Sequence, residues 1–472
     1  MTIPNIPSLQ TPSNKHTRQA DAYLARKHNL LASYESLDHF VVYGEEQLDE
    51  ADFKSLMHHL LSLRIALASL FWKNQIFIGR SVLDEFIFQN AKSGKSPILK
   101  SVIDDFATTA AGKPGFVIYP LHGFGFEMPG LFNRNPELNL DYTFRDFGVS
   151  LTAQTHGLEN VFERVNKMAR RLGVENKVDF SDLRHHHLAA GLKWLTNNPL
   201  MMVRLSSHTG EYYENQFIYT LKIRLATTLV MMLAALVEDA EHSQSDYLET
   251  SSEINNWQTL DIRHYLVGEA RQLKSDAIEF RRIPMNLNAL ELAQLSDVPI
   301  TLNTTILKKR RVAKQRQALE GAMQHVQDAY LRHVNLSSGT GLKERIYLRI
   351  SKSLDWYRRS FGSRHSTHER VVALAVAFET LLTDNYARGT DTRIERRVGI
   401  CLKGKHGVAS AKGAVLNIIH HRNEILHTGS TSQESDILKA QAAFANCFID
   451  IVDRLPNLPR ESGNPMTDIL GD

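Results

Sequence analysis

The chain has 472 residues, 43% of them hydrophobic and 23% charged, which is the composition of globular protein and long enough for two or three domains. Its two cysteines, Cys401 and Cys447, exclude a disulfide framework or a cysteine zinc cluster, and their apolar helical neighbours assign them to core packing. The net charge of +3 is unevenly spread: Lys308 to Arg370 holds 15 Lys or Arg against 5 Asp or Glu, a local net of +10, so the remainder sums to −7.

Met1 to Lys15 is polar and lacks the basic start, apolar run and cleavage site of a secretory signal, so a cytoplasmic protein is expected. Phe53, Leu56, Leu60, Leu63, Ala66 and Leu70 recur three or four apart, the period of a half-buried helix. Phe116-Val117-Ile118-Tyr119 is a short β-prone run broken by Pro120 and followed by Gly123 and Gly125; it predicts a hairpin or ordered loop within Gly115 to Met128. Gly112-Lys113-Pro114-Gly115 lacks the spacing of a phosphate-binding loop, and Gly123-Phe124-Gly125 is too short for a dinucleotide fingerprint. Both read as turns. His185-His186-His187 with Asp182 invites a metal reading, but neighbouring helical residues point about 100° apart and cannot all ligate one ion.

Ile218, Leu221, Leu225, Leu229 and Leu233 give a second helical stripe. The apolar run around it, Leu225 to Val237, is about two-thirds of the roughly 18 to 20 residues that cross a bilayer, which predicts a buried core helix and no membrane association. Between Ile283 and Thr305, prolines and asparagines interrupt the periodicity and mark a boundary. The division expected is a mostly helical region of unknown fold over 1–300 with minor β, a basic helical connector over 301–340, a helical bundle over 341–458 and a tail over 459–472. The fold class is mainly α.

The carboxy-terminal helices are predicted over Gly341 to Ser360, about His368 to Thr383, Thr392 to Leu402, about Ser410 to Leu426, and from a capping-box pattern at Thr431-Ser432-Gln433-Glu434 to Pro456. The second of these is nearly all apolar, through Val371 to Phe378, as a helix at a bundle centre should be, and Glu379 interrupts it. Gly429 is placed to end the fourth.

Near the end of that fourth helix stand Arg422, Asn423 and His427. Asn423 and His427 share a face four apart, and Arg422 lies about 140° from His427, so Arg and His flank a surface rather than touch. RNA cleavage without metal needs a group of near-neutral pKa to move a proton and a fixed cation to stabilise the phosphorane. His427 and Arg422 are of those types, and a guanidinium grips two phosphate oxygens while staying charged. Asn423 is positioned to orient the imidazole or the phosphate. Glu379 either tethers Arg422 or His427 or pairs with another core polar group, and His420 and His421 are expected at the surface. Lys308, Lys309, Arg310 and Arg311, with Lys314 and Arg316, form either an RNA-guiding surface or a solvated helix face.

The stretch from about Gly341 to Leu455, a quarter of the chain, resembles the HEPN domains, particularly the Apea-like branch of bacterial defence proteins. Leu354-Asp355-Trp356-Tyr357 with Arg359-Ser360-Phe361, Ala377-Phe378-Glu379-Thr380-Leu381-Leu382, and Arg422-Asn423-Glu424-Ile425-Leu426-His427-Thr428-Gly429 carry the likeness. The family motif is an Arg, a polar residue, three variable residues and a His, which Arg422, Asn423 and His427 fill. The resemblance implies a four- or five-helix bundle and a homodimer whose two motif helices face each other. It also implies metal-independent, cofactor-free cleavage of single-stranded RNA to a 2′,3′-cyclic phosphate, and a toxin-like role in phage defence. The amino-terminal region would then hold the nuclease in check or answer a regulatory partner or phage-derived trigger. The competing reading is a non-catalytic RNA-binding or assembly scaffold. A magnesium nuclease lacks an obvious carboxylate cluster.

Overall fold

The computed structural model describes residues 9–74, 76, 78, 80–108, 114–127, 139–152, 157–175, 177–205, 221–241, 263–269, 277–285, 288–330, 333–334, 341–362, 365–384, 389–405, 407–429, 436–459 and 461–472. Six helices come first: α1 (Lys15–Arg26), α2 (His28–Leu31), α3 (Leu37–Gln47), α4 (Glu50–Lys73), α5 (Arg80–Lys92) and α6 (Ile98–Thr108). Asn14, Ser36 and Asp49 start α1, α3 and α4 by accepting from first-turn amides, the usual work of short polar side chains at that position. The stripe read from the sequence buries Leu56, Leu60 and Leu63, and α4 adds Leu67 and Phe71 to a core shared with Phe40, Phe88 and Phe106. Buried Asp21 accepts from the amides of Ile98 (3.0 Å) and Leu99 (3.3 Å), setting a carboxylate at the positive end of α6.

Residues 116 to 284 form the strands β1 (Phe116–Pro120), β2 (Gly125–Glu127), β3 (Asn139–Thr143), β4 (Phe147–Thr152), β5 (Lys177–Val178), β6 (Leu200–Arg204), β7 (His264–Glu269) and β8 (Ala277–Pro284). All but β2 join one seven-stranded sheet in the order β3-β4-β6-β1-β7-β8-β5, antiparallel except for the parallel β5–β8 pair. Two expectations are corrected here. The sheet is a central layer, not minor β, and Phe116–Tyr119 is its middle strand, not a hairpin arm. Pro120 is tolerated because it is the last residue of β1, opposite Leu200.

Alternate residues of β1 serve different cores. Val117 and Tyr119 face one side with Met201 and Val203, while Phe116 and Ile118 face the other with Leu200 and Met202. On the second side lie α7 (Leu158–Arg171), α8 (Phe180–Leu188) and α9 (Trp194–Asn197), which contribute Val161, Val165, Met168 and Trp194. The first side is covered by α10 (Arg224–Glu241), in which every residue from Leu225 to Val237 is buried, as the apolar run predicts. Each such Leu, Val or Met is worth about 1.5–3 kcal/mol on burial, so this helix is a main source of cohesion.

The segment that interrupts the periodicity is built into the molecule as α11 (Ala289–Ser296), β9 (Thr301–Asn303) and α12 (Thr304–Leu307), with β9 pairing parallel to β2. Then follow α13 (Arg310–Tyr330), α14 (Leu342–Arg359), α15 (Thr367–Leu382), α16 (Thr390–Cys401), α17 (Val408–Thr428), α18 (Ile437–Arg454) and α19 (Pro465–Leu470). In this part α15 packs on α14, α16, α17 and α18, and α18 also packs on α10 and α13. One apolar cluster therefore runs from the sheet face through α10 into these helices. Cys401 and Cys447 are free and buried within it.

The polar and aromatic residues at the end of α14 do structural work. Asp355 pairs with Arg224 at 3.4 Å, the Arg359 guanidinium lies 4.6 Å from the Trp356 ring centre, and buried Tyr357 stacks on Phe444 and donates to the Gln441 carbonyl. Arg358 donates to the Gln294 carbonyl of α11 at 2.9 Å, and burial brings its pKa down to about 10. Among the described residues no helix is long and apolar enough to cross a membrane.

Candidate active site

Helix α17 is anchored by Ala414, Val415, Ile418 and Ile419, which are buried, and it ends at Gly429, whose φ of 81° is the left-handed conformation that glycine adopts without strain. Arg422 is on the half-buried flank of this helix. Its Nη2 donates to Glu379 Oε2 of α15 at 3.4 Å and its Nη1 to Asn423 Oδ1 at 2.9 Å, with side-chain exposures of 22% for Arg422 and 18% for Glu379. The Arg422 Nε is buried and has no hydrogen-bond partner among the described residues.

His427 is exposed on the last turn of α17, beside Leu426, which is 59% exposed. The structure brings Arg422, Asn423 and Glu379 into one cluster and leaves His427 on the adjoining surface. Burial raises the Glu379 carboxyl above its ordinary range; Arg422 opposes that rise and Asp391, at the start of α16, adds to it. Asp391 is a neighbour that the sequence reading missed, and only its place in a first helical turn hints at it.

His420 is exposed as expected, but His421 is not: it is 3% exposed, because it falls on the same face as Ile418 three residues earlier. Lys308, Lys309, Arg310, Arg311 and Lys314 are exposed where α12 gives way to α13. Arg316 is half-buried instead, donating to the Tyr142 hydroxyl of β3 and lying 3.5 Å from Glu320. The main packing partners of α13 are α10, α12, α14 and α18, and those of α17 are α15, α16 and α18. The basic run and Arg422 thus belong to different parts of the helical layer.

The histidine run has a structural task. Asp182 accepts from the Phe280 amide, and His186 Nε2 is 3.1 Å from the Phe280 carbonyl, so the pair clamps α8 to β8; His187 Nδ1 meets the Leu192 carbonyl at 3.2 Å. Among the described residues no three His, Cys, Asp or Glu side chains are grouped to hold a metal ion.

The chain matches no family model, no curated protein and no solved structure. The chemistry of the site therefore rests on its own residues. Three polar groups lie on one helix end: a half-buried guanidinium held by Glu379 and Asn423, an amide and an exposed imidazole.

Proposed function

We propose that the chain is a metal-independent endoribonuclease of HEPN type, acting on single-stranded RNA through Arg422 and His427. Helices α14–α18 are read as the HEPN-like bundle. The observation that carries this is the state of Arg422, which is tethered to Glu379 and Asn423 five residues before the exposed His427 on the same helix.

In this reading the guanidinium receives the phosphorane oxygens, since fixed donors aimed at developing charge stabilise a transition state more than a ground state. His427 moves the proton of the 2′-hydroxyl or the leaving group. Asn423 and Glu379 are positioning residues that hold the guanidinium plane. A homodimer would place two such helix ends across one cleft, and exposed Leu426 offers apolar surface for that contact. The residues before α14 would restrain the nuclease or answer a regulatory partner, as in a toxin-like effector of phage defence in the cytoplasm. The test is incubation of labelled single-stranded RNA with the purified chain in EDTA. Products ending in a 2′,3′-cyclic phosphate support the proposal, and products appearing only with added magnesium overturn it.

A second reading, a non-catalytic RNA-binding or assembly scaffold, is favoured by one observation: Arg422 is already paired with Glu379, and His427 is not joined to that pair. It predicts that replacing Arg422 or His427 leaves RNA binding intact and that no cleavage accompanies it.

A further inference from the structure

A cavity of about 40 Å³ lies where α10, α13 and the turn between β3 and β4 meet. Lys222 enters it from the turn that opens α10, Glu320 and Gln327 from one face of α13, and Asp146 from the β3–β4 turn. Leu225 and Met323 contribute to an otherwise largely apolar wall. Arg145 also lines the cavity and is exposed, so the space reaches the surface beside it. About 10–15 Å³ of such space holds one water, so this one admits about three atoms of that size.

Lys222 is 6% exposed, a rare position for an ammonium. Residues 221–223 form a π-helical turn, an uncommon form that recurs at functional sites. The Lys222 Nζ is 4.0 Å from Asp146 Oδ2. Burial pushes the amine below its ordinary pKa; Asp146 and Asp328 oppose the fall and Arg204 adds to it. Burial also raises the Glu320 carboxyl, against Arg316 and Arg145 and with Asp146. A buried amine and a buried acid, each moved towards its neutral form, therefore line one space. Gln327 is 5% exposed, and its Nε2 has no hydrogen-bond partner among the described residues.

We propose that Lys222 is a nucleophile that forms an imine with a short-chain aldehyde entering this cavity. Desolvation in an apolar pocket is what activates a lysine for such chemistry. Groups that accept from the N–H bonds of Lys222 leave the lone pair of the neutral amine for the carbonyl carbon. Addition forms the C–N bond, and one proton passes from nitrogen to oxygen to give a carbinolamine. The Glu320 carboxyl then protonates the hydroxyl, the C–O bond breaks, water leaves and the nitrogen lone pair closes the C=N bond. The product is an iminium with Glu320 as carboxylate. It keeps the positive charge of Lys222 beside Asp146, whereas a carbamate formed from carbon dioxide would set a negative charge there. The amide of Gln327 is a donor for the carbonyl oxygen. The site is separate from the Arg422 cluster and does not depend on the ribonuclease reading.

The experiment treats the full chain at neutral pH with limiting acetaldehyde and cyanoborohydride, which reduces the iminium to a stable N-ethyl amine. Peptide mass spectrometry over a time course gives the rate at each lysine. Lys222 is expected to react about tenfold or more faster than the exposed Lys308 and Lys309, because a lowered pKa leaves more free amine. Glu320→Gln should slow Lys222 about tenfold or more and remove the fall in its rate at high pH that marks loss of the acid's proton, with Lys308 unchanged. The wild-type rates alone carry the test if that variant is unstable. Reaction at Lys222 no faster than at Lys308 overturns the proposal. So does an unaltered rate and pH profile in a folded Glu320→Gln, or protection of Lys222 by bicarbonate without an ethyl adduct, which would assign a carbamate instead.

Discussion

Arg422 Nη2 and Glu379 Oε2 are 3.4 Å apart, joining the end of α17 to the end of α15. The separation is longer than a strong charge-assisted hydrogen bond, so Glu379 orients the guanidinium without fully occupying it.

If Glu379 is a positioning residue, its shape matters more than its charge. Glu379→Ala is expected to lower RNA cleavage about tenfold, because misplacing a catalytic group by a fraction of an ångström has effects of that order or larger. Glu379→Gln keeps an acceptor oxygen and should recover most of the loss. Single-turnover rates of the two variants decide it; equal loss in both would assign the role to the charge itself.

The same carboxyl gives a pH signature. Its folded pKa is raised by burial, so the folded chain binds its proton more tightly than the unfolded chain does. The stability it contributes is complete below the unfolded value, near 4.5, and is lost as pH rises through the raised folded value. Urea denaturation across that range should show the wild type losing stability relative to Glu379→Gln, with a constant difference at higher pH. A difference that does not vary with pH would contradict this.

Much of the helical layer could be read in advance, and the reasons are local. The intervals proposed for the last five helices correspond to α14–α18, because each has an apolar stripe of helical period and a polar or glycine stop. Cap chemistry was harder to place. The box that starts α15 is Ser366 with Glu369, whereas the pattern at Thr431-Ser432-Gln433-Glu434 lies outside the described residues and α18 is capped by Asp436. The sheet was not legible. Its inner strands Phe116–Tyr119 and Leu200–Val203 are buried on both faces and show continuous apolarity instead of alternation, so the first could be read as β-prone but not as the middle of a sheet, and the second could not be told from helix by period. At the candidate site, Arg422 and His427 could be singled out because their residue types and spacing lie within one helix. Asp391, and the His325–Tyr347 contact across 22 residues, depend on tertiary packing that no local pattern encodes.

A buried ion network fixes the last residues of the chain to α16. Arg397, 2% exposed, donates from Nε to Asp472 Oδ2 at 2.9 Å and from Nη1 to the Leu382 carbonyl at 2.6 Å, and it lies 3.5 Å from Asp384. Arg397→Ala would leave Asp384 without its buried cation and Asp472 with only the more exposed Arg396 at 2.6 Å, and is expected to cost about 3 kcal/mol. Chemical denaturation measures this, and a loss below about 1 kcal/mol, the level of a surface pair, would mean that the network contributes little.

Gly148 of β4 lies under Met168 of α7, and a Cβ there would overlap the sulfur and come within 2.7 Å of Met168 Cε. Met168 is fully buried, so its thioether would have to turn to another rotamer within the packed core. Gly148→Ala should therefore destabilise the chain by about 1–3 kcal/mol, as overpacked cores do. Unchanged stability would show that the helix shifts freely on the sheet.

The exposed run Lys308, Lys309, Arg310 and Arg311 should affect RNA affinity and not chemistry. Replacing all four with Ala is expected to reduce the slope of log affinity against log salt by about 0.7 for each phosphate that the run neutralises, with the single-turnover rate at saturation unchanged. An unaltered slope would make this run a solvated helix face.

The most direct measurement is cleavage of labelled single-stranded RNA in EDTA by the wild type, Arg422→Ala and His427→Ala, each shown to have the same melting temperature and oligomeric state. Cleavage by the wild type, abolished in both variants, is the predicted result. Equal cleavage by all three would remove the site from α17, and absence of cleavage together with intact RNA binding in all three would leave the scaffold reading in its place.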